Sequence, residues 1–267
     1  LSAKELIAKA DKEGLPRSSA PTVRNKVRAL SAVLSYAVRM GQLGENPVIA
    51  GGVGKAAARA ATVQKARSRR RNDYTREEIE TIFSSPIYTS GWTPDRADFG
   101  EAWYWLPLLM YYTGARREEL AQLAARDVKF SGGNQLIPYI GILETGDDDD
   151  GRGVKTVGSR RVIPLHADLV DRGFLEYAKS VPQDGQLFPR LKQNPQGFYG
   201  ANICKRWASY LRDVVQLKSE ARPSHGFRHT FTTLCREVAI PEAVHDAITG
   251  HVGAGNVPPE SGTTPPN

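Results

Sequence analysis

The chain has 267 residues, 40% of them hydrophobic and 24% charged, a composition expected of a soluble globular protein with one large or two modest domains. No apolar run reaches the roughly 20 residues of a membrane helix, and two distant cysteines, Cys204 and Cys235, are read as reduced thiols rather than a disulfide scaffold or a metal site. The net charge of +7 is uneven: residues 1–71 hold 15 Lys and Arg against 4 Asp and Glu, residues 72–267 hold 21 against 25, and such a basic module suits either a nucleic-acid partner or a plain solvated face.

The chain opens Leu1-Ser2-Ala3-Lys4, with no initiator Met and no charged-then-apolar leader, and is read as a trimmed fragment bound for the cytoplasm. Residues 20–40 form the first predicted helix. Val23, Val27, Leu30, Leu34 and Val38 recur at steps of three and four, Gly41 stops the helix, and Asn46-Pro47 ends the unit. Arg24, Lys26 and Arg28 lie beside the apolar stripe as candidate DNA contacts. Residues 1–50 are therefore expected to form a partial helical domain, the basic module of the chain and a candidate for binding DNA. Residues 51–71 change character: Gly51-Gly52-Val53-Gly54 leads through small residues to Lys65, Arg67, Arg69, Arg70 and Arg71. This reads as an exposed basic linker able to lie along a phosphate backbone.

A second domain is expected over 72–267. Thr75 and Glu78 make a capping box before Ile79, Ile82 and Phe83. A buried helix covers about 101–112, and a short one follows Gly114. Residues 126–165 read as strands at 128–130, 136–143 and 161–164. The acidic run Asp147–Asp150 between two of them is a solvated hairpin loop, since the positions an EF-hand needs for Gly and Glu hold Arg152 and Gly158. Helical patterns resume at about 166–180, 199–217, 224–238 and 241–249. The fold class is mainly α with one small antiparallel sheet.

Three segments carry candidate chemistry. In Thr113-Gly114-Ala115-Arg116-Arg117-Glu118-Glu119-Leu120, a turn glycine hands the chain to a helix that begins near Arg116, a place suited to a phosphate. Glu119, three residues on, can orient that guanidinium. In Val154-Lys155-Thr156-Val157-Gly158-Ser159-Arg160-Arg161-Val162-Ile163-Pro164-Leu165, Lys155 sits near the base of a β-turn, solvated or within reach of a phosphate. In Ser224-His225-Gly226-Phe227-Arg228-His229-Thr230-Phe231, Ser224 is an N-cap and His225 shares a face with Arg228, opposite Phe227, Phe231, Leu234 and Val238. Pro241 opens a last helix that closes at Gly250-His251.

Taken in order, Thr-Gly-Ala-Arg-Arg-Glu-Glu-Leu, Lys-Thr-Val-Gly-Ser-Arg-Arg-Val-Ile-Pro-Leu, His-Gly-Phe-Arg-His-Thr-Phe and Thr-Gly-His resemble the tyrosine recombinases and phage integrases. The resemblance covers most of the chain: 20–47 look like the end of the family's core-binding domain, 72–251 like its catalytic domain. It implies that Arg116 and Arg228 clamp the non-bridging oxygens of a DNA phosphodiester. It further implies that Lys155 protonates the departing 5′ oxygen, that His225 serves in acid/base transfer, and that His251 hydrogen-bonds the phosphate. Paired guanidiniums replace a cation, so no metal or other cofactor is implied. The partner is double-stranded DNA, with a homotetramer on two sites in an intact parent.

One departure stands out. The family's nucleophilic tyrosine follows the last His by about nine residues, near Glu260 here, yet residues 252–267 hold no tyrosine and four prolines. The last tyrosine is Tyr210, read as a packing residue. Decay or a frame shift after about Val257, a replaced tail, and a nucleophile from another subunit are all open. The function read from sequence is site-specific recombination through a 3′-phosphotyrosine, or else that of an inactive DNA-binding remnant.

Overall fold

The computed structural model describes residues 2–15, 18–67, 71–92, 94, 98–131, 136–142 and 160–251. The acidic run Asp147–Asp150, Lys155, Arg69, Arg70 and the tail beyond His251 lie outside the described residues, and so do the side chains of Lys65 and Arg67. The chain divides into two compact units, 1–70 and 71–267.

The first unit is helical: α1 (Ala3–Lys12), α2 (Ala20–Arg39), α3 (Pro47–Ala50) and α4 (Val53–Arg67). Helix α2 begins at a Ser19 cap with Pro21 in its first turn and ends ahead of Gly41, as its sequence predicts. Its apolar stripe divides in the structure. Val27, Leu34 and Val38 are half-buried, whereas Val23 and Leu30 are exposed, because α2 packs mainly along one side, against α4.

Two expectations for this unit are corrected. Asn46-Pro47 does not end it: Asn46 caps α3, and the chain runs on into α4. Residues 51–71 are also not an exposed linker throughout, because 53–67 are helical. Alanine has the highest helix propensity of any residue, and Ala56, Ala57, Ala58, Ala60 and Ala61 favour the helix, with Ala57 half-buried and Ala61 buried while the others stay exposed. Gln64 Oε1 accepts the Ala20 backbone N–H at 2.7 Å, serving the α2 N-terminus from across the pair.

The second unit has nine helices among the described residues and one sheet. Helix α5 (Arg76–Phe83) opens on the Thr75/Glu78 capping box, with Glu78 N–H donating to Thr75 Oγ1 at 3.0 Å and Thr75 N–H to Glu78 Oε2 at 2.7 Å. After α6 (Pro86–Thr89), helix α7 (Ala102–Thr113) is apolar on nearly every face and forms the centre of the core, burying Trp103, Trp105, Leu106 and Leu109. Helix α8 (Arg117–Ala121) and a 3-10 turn lead into the sheet. Strands β1 (Val128–Phe130), β2 (Pro138–Ile142) and β3 (Arg161–Pro164) lie in that order, antiparallel, with Val128 facing Ile140 and Ile140 facing Ile163.

Helices α9 (Ala167–Asp171), α10 (Phe174–Ser180), α11 (Gly200–Asp213), α12 (His225–Glu237) and α13 (Glu242–Thr249) complete the unit. The mainly helical fold with a small antiparallel sheet is thus the one expected. Tyr210 is a packing residue: it is buried, donates to Ser85 Oγ at 2.7 Å and accepts from Ile87 N–H. Both cysteines are free thiols, Cys235 buried and Cys204 half-buried.

Candidate functional site

Helix α7 ends on Gly114, which takes a left-handed backbone, φ +59°. A Cβ there would stand 2.6 Å from the Phe231 ring and 3.0 Å from Thr249, so only glycine lets α7 turn this close beneath α12 and α13. The turn delivers Arg116 to the position just before α8. Glu119 then reaches back: its Oε2 accepts the Arg116 backbone N–H at 2.8 Å, and its Oε1 accepts Arg116 Nη1 at 2.8 Å. The sequence-based pairing of Arg116 with Glu119 is therefore present in the fold. Arg116 remains 40% exposed in its side chain and Glu119 only 6%, so the charged tip faces outward from a buried anchor.

Arg228 lies in the first turn of α12 and is 8% exposed. Its Nη1 donates to the Gly114 carbonyl at 2.8 Å and to the Thr249 carbonyl at 2.6 Å. Burial, and next the neighbouring Arg116 charge, bring its pKa down to about 10, which still leaves it charged at neutral pH. Arg116 Nη2 makes a long contact of 3.4 Å with the Gly250 carbonyl. Both arginines thus converge where the end of α7 meets the end of α13, and the Nε and Nη2 atoms of Arg228 take no partner among the described residues.

His225 lies at the start of α12 near Arg228, with its ring edge-to-face on His229 at 4.7 Å between centroids. Burial and then the cationic surroundings (His229, Arg228, Arg222 and Arg116) hold its pKa below the ordinary imidazole value, so it is neutral at pH 7. Ser224, expected to cap α12, makes no capping bond; its hydroxyl pairs with Cys204 Sγ at 3.2 Å instead. On the opposite stripe Phe227 is fully buried, but Val238, at the helix end, is 68% exposed. His251 follows the left-handed Gly250 that caps α13 and is exposed, with its backbone N–H on the Asp246 carbonyl at 3.0 Å. Lys155 falls outside the described residues.

One member of the cluster gave no separate signal in the sequence. Arg161, read only as part of a strand, is 7% exposed in its side chain and pairs with Glu119 through Nη2–Oε2 at 2.8 Å. Burial alone would raise the Glu119 pKa, but the Arg161 hydrogen bond and charge, followed by Arg116, hold it below the usual carboxylate value. The balance of the cluster is three guanidiniums around one buried carboxylate, a surplus of positive charge that favours an anion.

The other proposed DNA contacts lie elsewhere. In the first unit Lys26 and Arg28 are exposed on α2, while Arg24 is half-buried and donates to Asn25 Oδ1 at 3.4 Å. Arg71 belongs to the second unit and is not a free basic residue: it meets Glu78 Oε2 at 2.6 Å and donates through Nε to the Asp73 carbonyl. Among the described residues no helix is long and apolar enough to cross a membrane.

No protein-family model and no curated protein matches the chain. Solved structures do. The Tn1549 transposon integrase in complex with a circular intermediate DNA is 19% identical, over 93% of this chain and 76% of that one, with a TM-score of 0.56. The same integrase with transposon right end DNA is 17% identical over 94% and 76%, at 0.53. A lambda integrase tetramer bound to a Holliday junction is 19% identical over 97% and 74%, at 0.50. The chain therefore has the integrase fold, the fold that its resemblance to the tyrosine recombinases implies.

Proposed function

We propose that the second unit binds a DNA phosphodiester between Arg116 and Arg228 for strand exchange of the tyrosine-recombinase type, while the first unit grips the duplex through its basic side chains. The observation that carries this reading is the pair of adjacent guanidiniums: one is buried and committed through a single nitrogen, the other is anchored by Glu119 with its tip exposed. A tetrahedral phosphate offers two non-bridging oxygens to such a pair and neutralises its repulsion. Charge that builds on those oxygens during displacement is then stabilised by donors already in place.

In the exchange that the family resemblance implies, the oxygen of a tyrosine, which residues 252–267 do not supply, would form a bond to phosphorus as the bond to the 5′ oxygen breaks, and Lys155 would give that 5′ oxygen its proton. His225, neutral at pH 7, serves as the acid/base group. His251 donates to the phosphate. The solved tetramer of lambda integrase on a Holliday junction supports a like assembly for this chain on two duplexes.

A second reading has its own observation. Residues 252–267 contain no tyrosine, which favours a protein that binds the phosphodiester without cutting it. One experiment separates the two. Duplexes that bind the chain are selected from a random pool, nicked, incubated with protein and run under denaturing conditions. The same assay uses a Glu260→Tyr chain, which restores tyrosine where the resemblance puts the nucleophile. A covalent band with the unaltered chain excludes the binding-only reading. A band with Glu260→Tyr alone shows a competent site that lacks its nucleophile. In whichever chain is active, Arg116→Ala and Arg228→Ala are expected to lower the band at least a hundredfold while duplex binding stays largely intact. Cutting at the parent rate by either variant overturns the site assignment.

A further inference from the structure

Arg161 opens strand β3 and touches two other elements at once. Its Nε donates to the Ile248 carbonyl at 2.7 Å, in the last turn of α13. Its Nη2 and Nη1 donate to Oε2 and Oε1 of Glu119 at 2.8 and 3.3 Å, just inside the start of α8. The approach is close enough to constrain the sequence around it: a Cβ on Gly250 would stand 2.8 Å from Arg161 Nη1, and Gly250 has φ +66°.

The last turn of α13 shows what this fork accomplishes. Three consecutive carbonyls there, those of Ile248, Thr249 and Gly250, accept from three different arginines: Arg161, Arg228 and Arg116. Carbonyls at a helix C-terminus lack partners within the helix and carry the negative end of its dipole, so cations collect there. Glu119 links the same groups from the other side, since its two oxygens take Arg116 through side chain and backbone and Arg161 through both terminal nitrogens. Arg116 also meets both, but its contact with the Gly250 carbonyl is long at 3.4 Å and its side chain is 40% exposed, whereas Arg161 makes the link from a buried position, at 2.7 Å to the Ile248 carbonyl and 2.8 Å to Glu119.

We infer that Arg161 is a positioning residue of the phosphate clamp: it locks Glu119 and the end of α13 in one register, so that Arg116 and Arg228 face the same anion. This rests on the reading of the site as a phosphate clamp. The rival account is that Arg161 only neutralises a buried carboxylate, which any cation at that place would do. A lysine separates the two, because an ammonium is a point charge and cannot span Glu119 and the Ile248 carbonyl as a planar fork does.

The probe is sulfate, a tetrahedral dianion, added to the full chain while the Nε–H resonances of Arg116 and Arg228 are followed by NMR. In the unaltered chain both resonances are expected to shift together along one binding curve. Arg161→Lys is expected to weaken that curve roughly tenfold, the scale of losing a residue that orients a ligating group. The Arg116 response should be lost first, since Arg116 depends on Glu119. Glu119→Gln is expected to release Arg116 in the same way. The double variant should be no worse than either single one, because both act on one linkage. Should Arg161→Lys unfold the chain, Glu119→Gln carries the test alone, with loss of the Arg116 response expected and an unchanged response overturning the inference. An Arg161→Lys titration that matches the unaltered chain sinks the inference and leaves the clamp standing. No response to sulfate in the unaltered chain sinks the clamp reading, and the inference with it.

Discussion

Helix α2 of the first unit carries Arg24, Lys26, Arg28 and Arg39 on 20 residues, none of them fully buried. In the second unit Arg161 and Arg228 are almost wholly buried, each tied to backbone carbonyls. The same residue type thus does two kinds of work. Exposed cations on a helix attract a polyanion along its length, independent of base sequence, and their effect fades with salt. Buried cations with fixed donors hold one anion in one geometry, and the cost of their desolvation within the core is offset by the carbonyls and the Glu119 carboxylate they meet. Among the described residues only the second unit has such a core, built around Trp103, Leu106, Leu109, Phe174 and Phe227. Among its described residues the first buries only Val48, Ala61 and Asn46.

That contrast makes Asn46 the sharpest place to break the first unit. Its Nδ2 donates to the Ser31 carbonyl at 2.9 Å, to Ser31 Oγ at 3.1 Å and to Ser35 Oγ at 2.8 Å, while its Oδ1 accepts Val48 N–H at 3.0 Å. One side chain therefore caps α3 and pins it to α2. Asn46→Ala is expected to cost about 2 kcal/mol in the first unit, the sum of a lost cap and a hydroxyl and carbonyl left without their partner. All four tryptophans, Trp92, Trp103, Trp105 and Trp207, belong to the second unit. Urea unfolding followed by tryptophan fluorescence should be unchanged, while helicity followed by circular dichroism is lost earlier. A fluorescence midpoint that moves with the helicity would show that the two units unfold together.

A smaller effect tests the division of charge. Lys26→Ala with Arg28→Ala is expected to flatten the salt dependence of duplex binding by about one unit of log–log slope for each phosphate that is no longer neutralised. Arg71→Ala is the contrast, since its guanidinium is spent on Glu78 and its slope should barely change. Equal slopes for the two variants would erase the distinction between free and paired cations.

How much of this was legible in the sequence follows the same division. Elements set by local signals were readable: the Thr75/Glu78 box, the glycine turn at Gly114 and the helical period of α2, although Val23 and Leu30 of its stripe are exposed. The Arg116–Glu119 pair was readable too, because three residues on a helix fix its geometry. What failed had causes outside the local pattern. Basic residues at the end of α4 resembled a linker, but 53–67 are helical and α4 packs on α2, with Ala61 buried. Ser224 had the right residue type for a cap, but the chain leads into α12 with a helical backbone that leaves no capping bond for its side chain. Arg161 was unreadable as a site residue because its partners, Glu119 and Ile248, lie 42 and 87 residues away in the chain.

The finest test of the buried site is the proton on His225. Its pKa in the folded chain lies below the ordinary value of about 6.5, through burial first and through His229, Arg228, Arg222 and Arg116 after it. The unfolded chain therefore binds this proton more tightly. Across the window just below the ordinary value, acid favours unfolding, and return to neutral pH restores the lost stability. His225→Gln is expected to remove that part of the acid sensitivity in a series of thermal melts. An anion between Arg116 and Arg228 cancels much of the positive potential at the imidazole, so bound sulfate should raise the His225 pKa toward its ordinary value. The five histidines make the ring C–H signals assignable by single substitutions, and a pH titration with and without sulfate reads the shift directly. If His225 titrates identically in both, no anion sits within its reach, and the acid/base role proposed for it fails, whatever the two arginines bind.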